Sequence, residues 1–498
     1  MPDHTFFQPR GAWVGDIIPF QHDGDLALFY LYEERSDPKP GTPWHLVTTR
    51  DLVHFDDEGL AFEHGTADDP DFNVYTGSIV QQGDTFHLFY TGQNPRHLGS
   101  DGLPLQLVMH ATSSDGMASW TRHPEHTFGA SAGYESGDWR DPFVFRDEAV
   151  GVWRMLIAAR HIDGPERRRG VIAQCVSTDL VTWEPVEPFW DPRRYIAHEC
   201  PEVFHWGDWW YLVYSEFSEG FTTRYRMARS LDGPWQVPEF DSIDGRAFYA
   251  SKTAELNGRR FFFGWIASKE DSRDDGAWQW AGTLSVLEAR QNADGTLAFG
   301  FAAETRASFS EPVTTTFAGH PSGDPLVLAA PHGYAAALSD HDTPTAFRAS
   351  VTLDIDRATT ECGLLLRSSS DGDTSYIVRL EPKRNRMVFD RWPRRHTGDG
   401  QWEISGDVPF LIELERPCDL APGRHRLDVI VDNDLCVVNL DGRTTLSTRI
   451  YDHTGGRIGV FVGEGAVTAH DFEVSVRPDR SPATDADSSM TRSDPQYA

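Results

Sequence analysis

Across 498 residues the chain carries 76 Asp and Glu against 45 Lys and Arg, a formal net charge of −31. That excess excludes nucleic acid and anionic membrane as partners, because both require a basic surface to displace counterions, whereas a neutral ligand is compatible with it. The length points to two or three domains. Aromatic residues at 12%, with many Gly and Pro and few long apolar periodic segments, point to an all-β chain of short strands joined by turns.

The five cysteines, Cys175, Cys200, Cys362, Cys418 and Cys436, are odd in number and lack the spacing of a metal site or a disulfide framework. No metal and no cofactor are expected. Residues Met1 to Phe7 lack the basic start and apolar core of a signal peptide, and no later run approaches membrane-spanning length. A soluble, cytoplasmic protein is the expectation.

In chain order, a turn followed by an apolar-aromatic strand recurs at a period of roughly 50 to 65 residues. The strand appears at Asp25–Tyr30, Asp84–Tyr90, Trp153–Ala158, Asp208–Tyr214 and Arg260–Trp265. In the first four units a second strand follows, ending in a Ser/Thr and Asp turn and an aromatic, as in Ser177-Thr178-Asp179 through Trp183. Multi-stranded units of this length bury both faces when stacked radially, so residues 1–303 are expected to form a five-bladed β-propeller. From Ala303 the repeat stops, and a Pro/Gly-containing connector leads to alternating segments such as Phe347–Leu353, His425–Val431 and Arg457–Val462. Residues 304–477 therefore read as a β-sandwich. The polar, aromatic-poor residues 478–498 are expected to be disordered.

A propeller turns the first strand of each blade to a central funnel, so residues ahead of each repeated strand should line it. Those positions hold Asp16, Ser78, Arg140 with Asp141, Glu199 and Tyr249. Three carboxylates from three blades converge. Glu199 sits in Tyr195-Ile196-Ala197-His198-Glu199-Cys200-Pro201, an apolar and aromatic setting that would raise its pKa and suit it as a proton donor. Asp16 is the one charge in the apolar run Trp13 to Pro19 and suits a nucleophile, whereas Arg140 next to Asp141 should keep Asp141 ionised for hydroxyl binding and positive-charge stabilisation. Trp44, Trp139, Tyr249 and Trp280 are candidate faces for a sugar ring.

These segments resemble glycoside hydrolase family 32, the invertase, inulinase and levanase group, whose motif order is a WMNDPNG-like segment, FSGS, RDP and EC. The counterparts are Trp13-Val14-Gly15-Asp16-Ile17-Ile18-Pro19, Tyr75-Thr76-Gly77-Ser78, Arg140-Asp141-Pro142 and Glu199-Cys200-Pro201. The resemblance implies a five-bladed propeller followed by a β-sandwich, with Asp16 as nucleophile, Asp141 as transition-state stabiliser and Glu199 as acid/base. It implies a retaining, exo-acting hydrolase of a short β-fructofuranoside or similar furanoside, with Trp13, Leu31, Trp44, Tyr75, Thr76, Arg140, Tyr249 and Trp280 contacting substrate. A fructosyltransferase, an inverting arabinosidase or xylosidase, and a non-catalytic carbohydrate-binding protein remain open on the same pattern.

Relative to the family motifs, both asparagines of the first segment are replaced by Gly15 and Ile18, a glutamine by Leu31, and the first Ser of FSGS by Thr76. Buried hydroxyls left without partners are strongly disfavoured. Sucrose and long fructans are therefore expected to be poor substrates; Glu33 and Glu34 read first as solvated loop charges, with a replacement hydroxyl acceptor as the alternative role for either.

Overall fold

A computed structural model describes residues 6–321, 323–393 and 413–478, so the segment expected to be disordered lies, from residue 479, outside the described residues. No helix among the described residues is long and apolar enough to cross a membrane. Up to residue 300 the chain is a succession of antiparallel meanders. The first comprises β1 (Trp13–His22), β2 (Asp25–Glu33), β3 (Trp44–Thr49) and β4 (Asp56–Phe62). The second comprises β5 (Asn73–Gln82), β6 (Thr85–Leu98), β7 (Pro104–Ser113) and β8 (Thr121–Arg122). The third comprises β9 (Tyr134–Asp147), β10 (Val152–His161), β11 (Gly170–Ser177) and β12 (Glu184–Trp190). The fourth is β13 (Glu199–Trp206), β14 (Trp209–Glu216) and β15 (Thr222–Ala228). The last is β16 (Phe248–Leu256), β17 (Arg259–Lys269), β18 (Trp278–Gln291) and β19 (Leu297–Gly300).

The second strand of each meander explains why the sequence shows an almost continuous apolar run rather than alternation. In β2, Leu26, Leu28 and Tyr30 enter one core cluster and Ala27, Phe29 and Leu31 the next. In β6, Phe86, Leu88 and Tyr90 face the first-to-second cluster, and Phe89 faces the cluster shared with the third meander. β10 divides Met155 and Ile157 from Leu156, β14 divides Leu212 and Tyr214 from Tyr211 and Val213, and β17 divides Phe262 and Ile266 from Phe261, Phe263 and Trp265. Side chains alternate across a strand, and each meander is covered on both faces by a neighbour. The last cluster returns to Leu26, Leu28 and Tyr30, so the meanders close into a ring. Pairing of Val14 with Gly282 and of Phe7 with Leu284 fastens the start of the ring to β18. Asp23-Gly24 and Asn257-Gly258 both adopt positive φ, as two-residue hairpin turns require.

After the short helix α1 (Ala303–Ala307), the remaining strands form an antiparallel assembly around the long strand Arg457–Val476, which pairs with Leu326–Leu338, Ala346–Ile355 and Glu361–Ser368. The whole is consistent with a propeller domain followed by a β-sandwich. Arg449 joins the two: fully buried, it donates to the backbone carbonyls of Ile266 and Ala267 and to Thr283, and pairs with Asp434. Arg416 likewise reaches the carbonyl of Ile243 from the sandwich side.

Candidate active site

The inner strands β1, β5, β9, β13 and β16 surround a cavity of about 830 Å³. Each breaks its ladder register at the same height, between Val14 and Ile17, Tyr75 and Gly77, Arg140 and Phe143, Glu199 and Glu202, and Tyr249 and Lys252. Bulges bend a strand and re-aim its side chains. Asp141, Cys200 and Ala250 take positive φ within three of them. The bulges thereby turn Asp16, Thr76, Asp141 and Glu199 into one space, along with Arg140 and Tyr249.

Asp16 is held by three donors. Trp265 Nε1 donates to Oδ1 at 3.0 Å, while Thr76 Oγ1 at 2.5 Å and Cys200 Sγ at 3.6 Å donate to Oδ2. Burial, and then the charges of Asp16 and Asp141, push the Cys200 thiol well above its usual pKa, so it stays protonated and able to donate. Glu199 accepts from Arg140 at 3.0 Å on Oε1 and from the Tyr249 hydroxyl at 2.6 Å on Oε2. Burial and then Glu199 push the Tyr249 phenol upward, which keeps that hydrogen in place. Glu199 is not in the apolar enclosure expected from its neighbours: its side chain is 21% exposed. Tyr195 and His198 instead pack beside Tyr214 in the core.

Asp141 differs from expectation in the opposite sense. Its carboxylate accepts from the Cys200 amide at 2.8 Å and lies 4.0 Å from the Arg140 guanidinium. Burial nonetheless dominates, and with Glu199 and Asp16 nearby it pushes the carboxyl up to about 7, although Arg140 pulls it down. Arg140 itself is raised: burial opposes its charge, but Glu199, Asp138 and Asp141 outweigh burial.

Leu31, Tyr75 and Trp280 also line the cavity. Trp280 occupies the space a side chain at Gly15 would need, since a Cβ there would meet the indole at 2.7 Å and Leu31 at 2.9 Å. Arg35 fixes that indole's backbone by donating to the carbonyls of Trp280 at 2.7 Å and Ala281 at 3.1 Å, and it bonds Gln279 at 2.8 Å.

Several expected contacts are elsewhere. Trp44 is fully buried and spends its Nε1–H on the carbonyls of Val74 and Tyr75, and Trp139 is fully buried in the third meander's core, so neither offers a face to the cavity. Trp13 does not line the cavity and lies under the Arg35 guanidinium, 4.5 Å from its ring. Ser78 bridges two meanders, donating to the Pro142 carbonyl and accepting from the Val144 amide, both at 2.9 Å. Glu33 is buried and paired with Lys39, and it is Lys39 that faces the cavity. Residues not anticipated include Asp138, Gln106 and Arg246. Asp138 was within reach of alternation, two places before Arg140 on the same strand; nothing local singles out the other two.

A closed ring of β-meanders that brings Asp16, Asp141 and Glu199 from three inner strands to one cavity, followed by a β-sandwich, defines the class. The family model for the N-terminal domain of glycosyl hydrolases family 32 matches residues 6–295, and that for the family's C-terminal region matches residues 329–476. The chain belongs to glycoside hydrolase family 32. It is similar to a sucrose-6-phosphate hydrolase of Escherichia coli, 26% identical over 317 residues that cover 59% of this chain and 63% of that protein. It is also similar to a levanbiose-producing levanase of Bacillus subtilis (strain 168), 27% identical over 286 residues that cover 54% and 49%. The chain thus spans less than two thirds of either relative. In fold it matches fructan 1-exohydrolase IIa from Cichorium intybus, with a TM-score of 0.72 at 17% identity over 95% of this chain and 96% of that one.

Proposed function

We propose that this protein hydrolyses a β-fructofuranosidic bond in a short oligosaccharide, from the chain end and with retention of configuration, in a funnel of five blades. The observation that carries the reading is the presentation of Asp16, Asp141 and Glu199 on three inner strands to one cavity, with Asp16 immobilised by Trp265, Thr76 and Cys200. A carboxylate fixed by three donors has lost its rotational freedom before substrate arrives, which suits attack on an anomeric carbon. Glu199, reached by solvent and steadied by Tyr249 and Arg140, gives its proton to the leaving oxygen and then takes one from water. Asp141 receives the hydroxyls of the sugar ring, and proximity to its carboxylate favours positive charge at the ring oxygen.

The activities that name these relatives, on sucrose 6-phosphate and on levan, support the fructoside. The wall made by Trp280 over Gly15 and Leu31 narrows the choice, because it is apolar where the family motif carries amides. The preferred substrate is a short furanoside whose hydroxyls avoid that wall, and sucrose, inulin and levan are poor substrates beside it. Specificity constants on these three and on a panel of short furanosides test this reading. Cleavage of sucrose as efficient as that of any panel member would refute the specificity, and no cleavage of any furanoside would refute the function.

A further inference from the structure

On the second meander, away from the cavity, four imidazoles stack beside an exposed carboxylate. β6 supplies His87, β7 supplies His110, and the turn following β8 supplies His123, Glu125 and His126. Ring centroids are 5.2 Å apart for His87 and His110, 5.2 Å for His110 and His126, and 5.0 Å for His123 and His126. His110 uses both ring nitrogens inside the stack: Nε2 lies 3.0 Å from His87 Nδ1, and Nδ1 lies 2.9 Å from His126 Nδ1. His123 Nε2 lies 2.8 Å from Thr112 Oγ1. The other nitrogens of the two turn histidines, His123 Nδ1 and His126 Nε2, face one oxygen, Glu125 Oε1, at 3.5 and 3.8 Å. Among the described residues no other group of three His, Cys, Asp or Glu side chains converges with all ligand atoms within 4.8 Å.

We propose that His123 Nδ1, Glu125 Oε1 and His126 Nε2 bind a zinc ion, with water in the fourth position. Bonds of about 2.0–2.1 Å in a tetrahedral shell hold neighbouring ligand atoms roughly 3.4 Å apart. The two separations to Glu125, 3.5 and 3.8 Å, lie within a few tenths of an ångström of that value, and all three ligand atoms lie within 4.8 Å of one another. Two imidazoles and a carboxylate are a borderline donor set that suits Zn²⁺ over Mg²⁺ or Ca²⁺, which take oxygen ligands.

The surrounding hydrogen bonds complete the site. A histidine that binds metal through one nitrogen must give its other N–H to an acceptor, which fixes tautomer and ring plane. Here His126 Nδ1–H donates to His110 Nδ1, whose ring passes the same polarity on through Nε2–H to His87 Nδ1, and His123 Nε2–H donates to Thr112. Both outward lone pairs are then free for the ion. None of these side chains lines the cavity, so the ion has a structural role: it clamps the two-residue edge strand β8 and its turn onto β7. Spacing among cysteines could not reveal this site, because its ligands are histidines on a turn.

The test uses tag-free protein stripped with chelator and titrated with Co²⁺ and then Zn²⁺. The expected result is one equivalent of Co²⁺ with visible d–d absorption of a four-coordinate site, displaced by Zn²⁺, together with a zinc-dependent rise in Tm. Glu125→Gln and His126→Asn abolish the Co²⁺ spectrum, and Thr112→Val weakens Zn²⁺ binding about tenfold or more. Glycosidase activity is unchanged in all three. Glu125 is largely exposed, so Glu125→Gln carries the comparison if His126→Asn misfolds. Absence of saturable binding, or variants that bind as the parent does, would overturn the site and leave a metal-free histidine stack.

Discussion

Replacing Asp141 by Asn tests how strongly burial acts at the centre of the cavity. The carboxyl moves from its ordinary 3.8 to about 7 on folding, chiefly through burial. Between those values the folded protein holds a proton that the unfolded chain has released, so stability falls as pH rises. The contribution is intact below about pH 4 and fully lost above about pH 7. At ~1.4 kcal/mol per pH unit the whole effect is on the order of a few kcal/mol, and most of what is lost above pH 5 is lost by pH 8. Asn can still accept the Cys200 amide hydrogen but cannot ionise, so the unfolding free energy of the variant lacks this slope. Urea denaturation of both proteins at several pH values gives the difference between them, which should shift in favour of the Asp141→Asn variant as pH rises. Coupling to Glu199 and Asp16 broadens the transition without changing its sign. A difference that is flat, or that favours the parent as pH rises, would refute the dominance of burial over the Arg140 charge.

Asp16→Asn and Glu199→Gln should each lower kcat by about three orders of magnitude or more, with circular dichroism and Tm close to those of the parent; retention of most activity by either would remove that residue from its role. Tyr249→Phe deletes one charge-assisted hydrogen bond to Glu199, about 1.5–3 kcal/mol, and should lower kcat/KM roughly tenfold to a hundredfold at an unchanged fold. Proton NMR of the first-formed anomer should show net retention, and net inversion would recast Asp16 as a general base. Arg449→Ala should destabilise the protein by about 3–5 kcal/mol in urea, because it leaves buried carbonyls and the Asp434 carboxylate without their donor.

The repeats were legible because each second strand is covered on both faces, which writes a continuous apolar run between turns. Asp16 stood out as the one charge in an apolar first strand and Asp141 by its place ahead of the third repeated strand beside Arg140, and the cavity receives both. What was hidden has two physical origins. A bulge breaks the period of two, so the slip between Tyr75 and Gly77 gives Thr76 to the cavity and Ser78 to the neighbouring meander, where uniform alternation would treat them alike. Contacts between distant segments leave no local trace. Arg35 pins Trp280 across 245 positions, and Trp44 spends its indole hydrogen on the next meander, although by composition it matches a sugar platform. Glu199 shows the same limit: its sequence neighbours are apolar, but the strand directs them to the core and its carboxylate to solvent.

The hydrogen bond from Trp265 to Asp16 spans 249 positions and has a consequence for assembly during synthesis. At ~5–20 residues per second, a ribosome releases Asp16 roughly 12–50 s before its indole partner. Between residues 199 and 265 the nascent chain carries Asp16, Asp141 and Glu199 but lacks the indole that donates to the first. The seam of Phe7 and Val14 with β18 waits longer still. Asp16 thereby gains its full set of donors only when the circle shuts, and a fragment ending between residues 199 and 265 would carry all three acids with the first not yet held by its indole.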